Sequence, residues 1–144
     1  MFKLSSYASI AILLALPVMG SIACKKKPAT KEEITKQVIS DIFDSCKAGK
    51  SEDAVKRYNE VLPEEEKTRR GIDVSTTEGK QKAERLCRET NTKYAGGYEF
   101  GTVQTQGEVI GWPVFAKGSK EGSLWAFKQV NGKWTLVDID SAKR

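Results

Sequence analysis

Three cysteines and no histidine define the chemistry open to this 144-residue chain. Without an imidazole there is no Ser-His-Asp or Cys-His relay and no His-ligated metal centre, which excludes most hydrolytic and zinc schemes. Thiol chemistry remains, and it takes two forms: covalent modification of one sulfur, or pairing of two. Cys24 follows an apolar run and the small residues Ser21 and Ala23, whereas Cys46 and Cys87 stand 41 residues apart in the body of the chain. Carboxylate chemistry is the second option. Asp41, Asp44 and Asp138 are the acids closest to apolar stripes, and Tyr58, Tyr94 and Tyr98 are the phenols that could partner them. No acid-to-tyrosine spacing among them matches a catalytic motif. Pro63-Glu64-Glu65-Glu66 lacks the alternating ligand spacing of a calcium loop, and Gly96-Gly97 reads as a turn rather than a phosphate cradle. No catalytic residue, metal ligand or cofactor is assigned.

The N-terminus is an address. Lys3 supplies a positive start, Ile10 to Met19 an apolar run, and Gly20, Ser21 and Ala23 small residues, the grammar of a secretory signal over residues 1–23. The run is shorter than the roughly 20 residues that cross a bilayer as a helix. Ser21-Ile22-Ala23-Cys24 resembles the bacterial lipobox, in which the cysteine receives a diacylglyceryl group and becomes the new N-terminus. Ser21 departs from the aliphatic residue usual at its position, and an ordinary signal peptidase would cut the same bond and leave Cys24 bare. Cysteine parity bears on the choice. In an oxidising compartment three thiols cannot all pair internally, and acylation of Cys24 leaves Cys46 and Cys87 as a pair. Residues 24–29 then form a lipidated cysteine and a basic tether, Lys25-Lys26-Lys27-Pro28-Ala29. Each lysine contributes about 1 kcal/mol at an anionic membrane, or the segment is a solvated spacer. Lys25 stands where an aspartate signals inner-membrane retention in enteric bacteria, so the expected address is the outer membrane or surface of a bacterial envelope. The net charge of +5 is interspersed apart from Lys25 to Lys27, which is no footprint for nucleic acid.

The elements that must position these groups are helices first, strands after. Thr30-Lys31-Glu32-Glu33 is a capping box, and Ile34, Val38, Ile42, Phe43 and Cys46 follow at helical spacing until Gly49. Ser51-Glu52-Asp53 restarts a second helix through Ala54, Val55 and Tyr58, which Pro63 ends. Pro63 to Arg70 has no apolar face and reads as a helical turn or a loop. Ile72-Asp73-Val74 alternates as a minor strand. Ser75-Thr76-Thr77-Glu78 is a second capping box, opening a helix that carries Ala83, Leu86, Cys87, Thr90 and Tyr94. A Cys46–Cys87 bond would clamp this helix to the first one, with two buried free thiols as the alternative. Closing that loop stabilises by roughly 4 kcal/mol in the chain-entropy model.

From Tyr98 the grammar becomes alternation: Tyr98 to Gln106, Glu108 to Lys117, Ser123 to Val130 and Lys133 to Ile139 read as four strands. Asn131-Gly132 predicts a type I′ hairpin. Its register sets Val130 opposite Lys133, Gln129 opposite Trp134, Phe127 opposite Leu136 and Trp125 opposite Asp138. One face then collects Trp125, Phe127, Trp134 and Leu136 against the helices. The other carries Leu124, Ala126, Val137 and Ile139 with Lys128 and Lys133, which leaves room for a partner or a homodimer contact.

In this order of elements the chain resembles the nuclear transport factor 2-like cone, a curved sheet wrapped round a long helix, over about residues 30 to 140. The details that carry the likeness are Ala48-Gly49-Lys50-Ser51-Glu52-Asp53-Ala54, similar to the break between the superfamily's first two helices, and Trp125-Ala126-Phe127 with Asn131-Gly132-Lys133-Trp134-Thr135-Leu136-Val137-Asp138-Ile139, similar to its terminal hairpin. The resemblance implies one α+β domain over residues 30–144, with N-terminal helices packed on a curved four-stranded antiparallel sheet. It implies no reaction, because members include ketosteroid isomerases, scytalone dehydratases and polyketide cyclases alongside exported lipoproteins without assigned activity. The leading expectation is a membrane-anchored, non-catalytic domain that binds an apolar small molecule or a protein. Its candidate contact residues are Trp112, Phe115, Trp125, Phe127, Trp134 and Tyr98. A lyase or isomerase of the cone type and a structural or host-facing surface lipoprotein are the alternatives. An open pocket holding a carboxyl with a raised pKa would favour the enzyme.

Overall fold

A computed structural model describes residues 26–144, so the signal segment, Cys24 and Lys25 lie outside the described residues. Four helices precede a five-stranded antiparallel sheet, an α+β arrangement: α1 (Lys31–Lys47), α2 (Ser51–Val61), α3 (Glu64–Arg70), α4 (Thr77–Lys93), β1 (Tyr98–Phe100), β2 (Gln104–Gln106), β3 (Val109–Ala116), β4 (Glu121–Val130) and β5 (Lys133–Lys143).

The expected capping box starts α1. Thr30 Oγ1 accepts from the Glu33 amide at 3.2 Å and Glu33 Oε2 accepts from the Thr30 amide at 2.7 Å, a device worth about 1 kcal/mol. Val38, Ile39, Ile42, Phe43 and Cys46 form its buried stripe. Glu64 to Arg70 resolves as a helix with no buried residue, acidic in its first turn and basic in its last, which complements the helix dipole.

Ile72 and Asp73 are irregular and a turn begins at Val74, so the predicted strand does not form. Asn59 takes both backbone groups of Ile72: its Nδ2 donates to the Ile72 carbonyl at 2.8 Å, and its Oδ1 accepts from the Ile72 amide at 3.1 Å. A side chain has taken the place of a neighbouring strand. Asp73 Oδ1 then accepts from the Ser75 amide at 2.9 Å and from its hydroxyl at 2.6 Å. Ser75 is thereby withdrawn from capping, and the predicted second box does not form. The cap of α4 is Thr76, whose Oγ1 accepts from the Gly79 amide at 3.0 Å. A Cβ at Gly79 would collide with the Asp73 carbonyl, so the turn and the helix start pack backbone to backbone there.

The sheet runs β1-β3-β4-β5, with β2 pairing to β3 along the same edge as β1. The predicted first strand is therefore two strands, which is why the sheet has five and not four. Gly101 to Val103 face only Trp112 and Pro113, one residue too many on the edge side. The Pro113 carbonyl accepts from Gly101 at 2.8 Å, so its nitrogen faces the same edge, where it has no hydrogen to donate.

Asn131 (φ 50°) and Gly132 (φ 77°) turn the last hairpin in the left-handed region that the type I′ geometry requires. The predicted register holds through Phe127 opposite Leu136, then shifts by a bulge at Val137. Trp125 opposes Ile139 and Ala126 opposes Asp138, instead of Trp125 opposing Asp138. The bulge brings Ile139 to the helix side and turns Asp138 away, and β5 continues to Lys143. Phe115, opposite Gly122, lies on the face away from the helices, yet it is only 2% exposed because the Arg144 guanidinium covers it at 4.4 Å and pairs with Glu99. Part of the outer face offered above to a partner is covered by the chain's own C-terminus.

The core lies between α1, α2, α4 and the inner face of β3, β4 and β5. One buried polar link ties these layers. Trp112 Nε1 donates to Thr35 Oγ1 at 2.9 Å, and Thr35, with no exposed surface, donates on to the Lys31 carbonyl at 2.9 Å. Thr35→Val keeps the shape but strands the indole N–H, so it should cost about 1–3 kcal/mol in denaturant unfolding. Combining it with Trp112→Phe should cost less than the sum of the single changes, because both partners are then apolar. Additive costs would count against the link.

Candidate functional site

The three helices do not close fully on the sheet. Between them lies a groove of about 420 Å³, in the range of small-molecule sites. Its floor is Ile42, Phe43 and Cys46, which the helical spacing of α1 places on one face. Ala54, Val55 and Tyr58 of α2 line one wall; Leu86, Cys87 and Thr90 of α4 line the other. Trp125 and Ile139 close the sheet side, opposite each other in register because of the bulge. Arg70, at the end of α3, and Ile72 complete the rim.

The disulfide holds two of these elements together. Cys46 and Cys87 are bonded with their Cα atoms 4.8 Å apart, in agreement with the clamp expected between the first and last long helices. Asn91 reinforces it by donating to the Cys46 carbonyl at 3.0 Å. A second recess of about 620 Å³ also borders the bond, but it is a shallow surface dish edged by Glu84, Arg88 and Asn91.

Two tryptophans face each other across β3 and β4, and their indoles differ in one respect. Trp112 has its partner in Thr35, whereas Trp125, 7% exposed, has a buried Nε1–H with no acceptor among the described residues. An unpaired buried donor costs about 1–3 kcal/mol, so an oxygen acceptor brought to it would be stabilised. Beside it the Phe43 ring makes an edge contact to Trp125 at 5.7 Å and packs on Tyr94 at 4.8 Å and Tyr98 at 5.0 Å.

Among the described residues Arg70 is the one charged side chain lining the groove. Burial works against its charge, but the Tyr58 hydroxyl and the Glu66 carboxylate outweigh that and hold its pKa above the ordinary value. Both contacts are long, 3.4 Å to Tyr58 Oη and 3.4 Å to Glu66 Oε2, while Glu66 is gripped by Arg69 at 2.8 and 2.9 Å. The guanidinium keeps donor capacity for another oxygen.

Of the six predicted contact residues only Trp125 lines this groove. Trp112 and Phe127 are core, Phe115 is on the far face, and Trp134 borders a separate recess with Lys31 and Ile34. Tyr98 sits at another, where its hydroxyl donates to Asp44 at 3.0 Å and burial raises its pKa. The acids weighed for catalysis also lie elsewhere. Asp41 accepts from Arg57 at 3.2 Å, Asp44 from Tyr98, and exposed Asp138 from the Ile139 amide at 2.9 Å. No carboxylate lines the groove, and the carboxyls with shifted pKa, Glu64, Glu66, Asp73 and Glu78, are all lowered by hydrogen bonds on the surface. Among the described residues no cluster of Cys, Asp and Glu could hold a metal ion. The other lining residues, Arg70 and Ile139 among them, were not among the predicted contacts. Ile139 would have followed from the bulge, and Arg70 has no local signal. No family model matches this chain, and neither does any curated protein or solved structure with which it was compared.

Proposed function

We propose that the chain is a bacterial envelope lipoprotein, anchored through acylated Cys24, whose folded domain binds an apolar small molecule bearing one oxygen acceptor in the groove between α1, α2, α4 and β4. The observation that carries this is Trp125, a residue more than nine-tenths buried in the wall of a largely apolar groove, whose indole N–H has no acceptor among the described residues. Binding is favoured over turnover because the groove wall offers no acid or base, only a cation and two hydroxyls. The nuclear transport factor 2-like cone remains the favoured finer reading of the fold, supported by helices that precede an antiparallel meander and by the terminal Asn-Gly hairpin. The sheet edges left open at β1 and β5 and the irregular segment at Ile72 to Val74 are its departures from that pattern.

Decanol, a neutral apolar chain with one oxygen, tests the binding directly. The Cys24→Ser protein, which carries no acyl group to compete, should bind it one-to-one by native mass spectrometry with a change in tryptophan fluorescence. Trp125→Phe should weaken it about fivefold, the size of one net hydrogen bond. Absence of saturable binding would overturn the proposal.

A further inference from the structure

The groove carries more information than its apolarity, because its single charge is positive and incompletely neutralised. We infer that its ligand is an anionic amphiphile, a monocarboxylate whose head meets Arg70 while its chain lies against Ile42, Val55, Leu86 and Ile139. This rests on the groove binding proposed above and names the ligand class, with the head oxygens at Arg70 in place of a single acceptor at Trp125.

An apolar groove needs no charge to hold an apolar ligand, and a bare guanidinium at its rim is a cost in desolvation unless an anion answers it. Glu66 answers Arg70 only in part. Its carboxylate makes two short bonds to Arg69 and one of 3.4 Å to Arg70. Tyr58 at 3.4 Å is a neutral partner on the groove side. The planar fork of a guanidinium matches a carboxylate in a bidentate pair, which a lysine at this position could not reproduce. Tyr58 then acts as a positioning residue, holding the fork at the rim. The chain of such a ligand extends past Leu86, which is 42% exposed, and Ile139, which is 37% exposed. Both are large apolar side chains left open to water along the same groove, and a bound alkyl chain would cover them.

Decanoic acid against decanol at pH 7 isolates the head group with the chain held constant. On the Cys24→Ser protein, decanoate should bind about tenfold tighter than decanol, a preference that weakens as salt is raised. Arg70→Gln should bring the two ligands within about twofold of each other, and Arg70→Lys should restore part of the difference. Circular dichroism and the unfolding midpoint should be unchanged in both variants, since α3 buries no residue. Equal binding of acid and alcohol by the parent protein, or a preference that survives Arg70→Gln, would overturn the anionic class while leaving the groove in place. Failure of both ligands to bind would overturn the groove itself.

Discussion

Reduction of the Cys46–Cys87 bond should lower the unfolding free energy by about 4 kcal/mol, read as a fall in the denaturant midpoint with a rise in slope, because the unfolded chain without the cross-link is more expanded. The bond closes a loop of 41 residues, which spans the end of α1, all of α2 and α3, and most of α4. Without it the unfolded chain regains the conformations that the loop denies it, and native domains hold only about 5–15 kcal/mol against unfolding. α3 buries no residue and α4 contributes only Gly79, Ala83 and Cys87 to the interior, so helix packing alone replaces little of the lost constraint. The Cys46→Ser, Cys87→Ser double variant should match the reduced protein to within about 1 kcal/mol. Both cysteines line the groove, so the reduced protein should also lose decanol binding at lower denaturant than the oxidised one. A thiol reagent should find no reactive Cys46 or Cys87 in the native protein before reductant is added. A midpoint insensitive to reductant would mean that the packing of α1 on α4 suffices without the bond.

Local chemistry wrote most of the helices and the last hairpin into the sequence plainly. Thr30 with Glu33, the stripe from Val38 to Cys46, and Asn131-Gly132 each have a short-range cause that acts before any tertiary contact forms. The errors arose where a side chain competed for the same backbone group, from far along the chain in one case and from two residues away in the other. Ile72 lost its strand to the side chain of Asn59, thirteen residues earlier, and Ser75 lost its cap to Asp73. The bulge at Val137 is a different case, because the sequence does contain its cause. Continuing the hairpin without a shift would turn both Asp138 and Asp140 toward the helices, where a carboxylate without a partner is costly. One extra residue sends both acids outward and recovers Ile139 for the inner face. Phe115 was also legible, since it lies three positions after Trp112 and odd spacing on a strand means opposite faces. Arg70 was not. It sits on a helix without an apolar stripe, and only the packing of α1, α2 and α4 makes a groove for it to border.

Replacing Cys24 with serine should move the protein from the membrane to the soluble fraction, a change of more than tenfold in partition. Among the described residues no helix is long and apolar enough to cross a membrane, and the proposed anchor is an acyl group on Cys24. Charge alone is weak. Lys25, Lys26 and Lys27 contribute about 1 kcal/mol each at an anionic surface, and salt screens that attraction within about a Debye length. One acyl chain binds marginally and two or more bind stably, so the diacylglyceryl cysteine should dominate and its loss should not be compensated. Replacing the three lysines with glutamine, with Cys24 kept, should leave the protein on the membrane and alter only the salt dependence of its contact. A fatty-acid analogue should label the parent chain and not the serine variant. Because Cys46 and Cys87 are bonded to each other, neither is open to Cys24, and no mixed disulfide should appear in the mature protein. A free thiol on the mature N-terminus, or membrane partition unchanged by Cys24→Ser, would separate the groove from the bilayer and leave the domain to meet its ligand in solution.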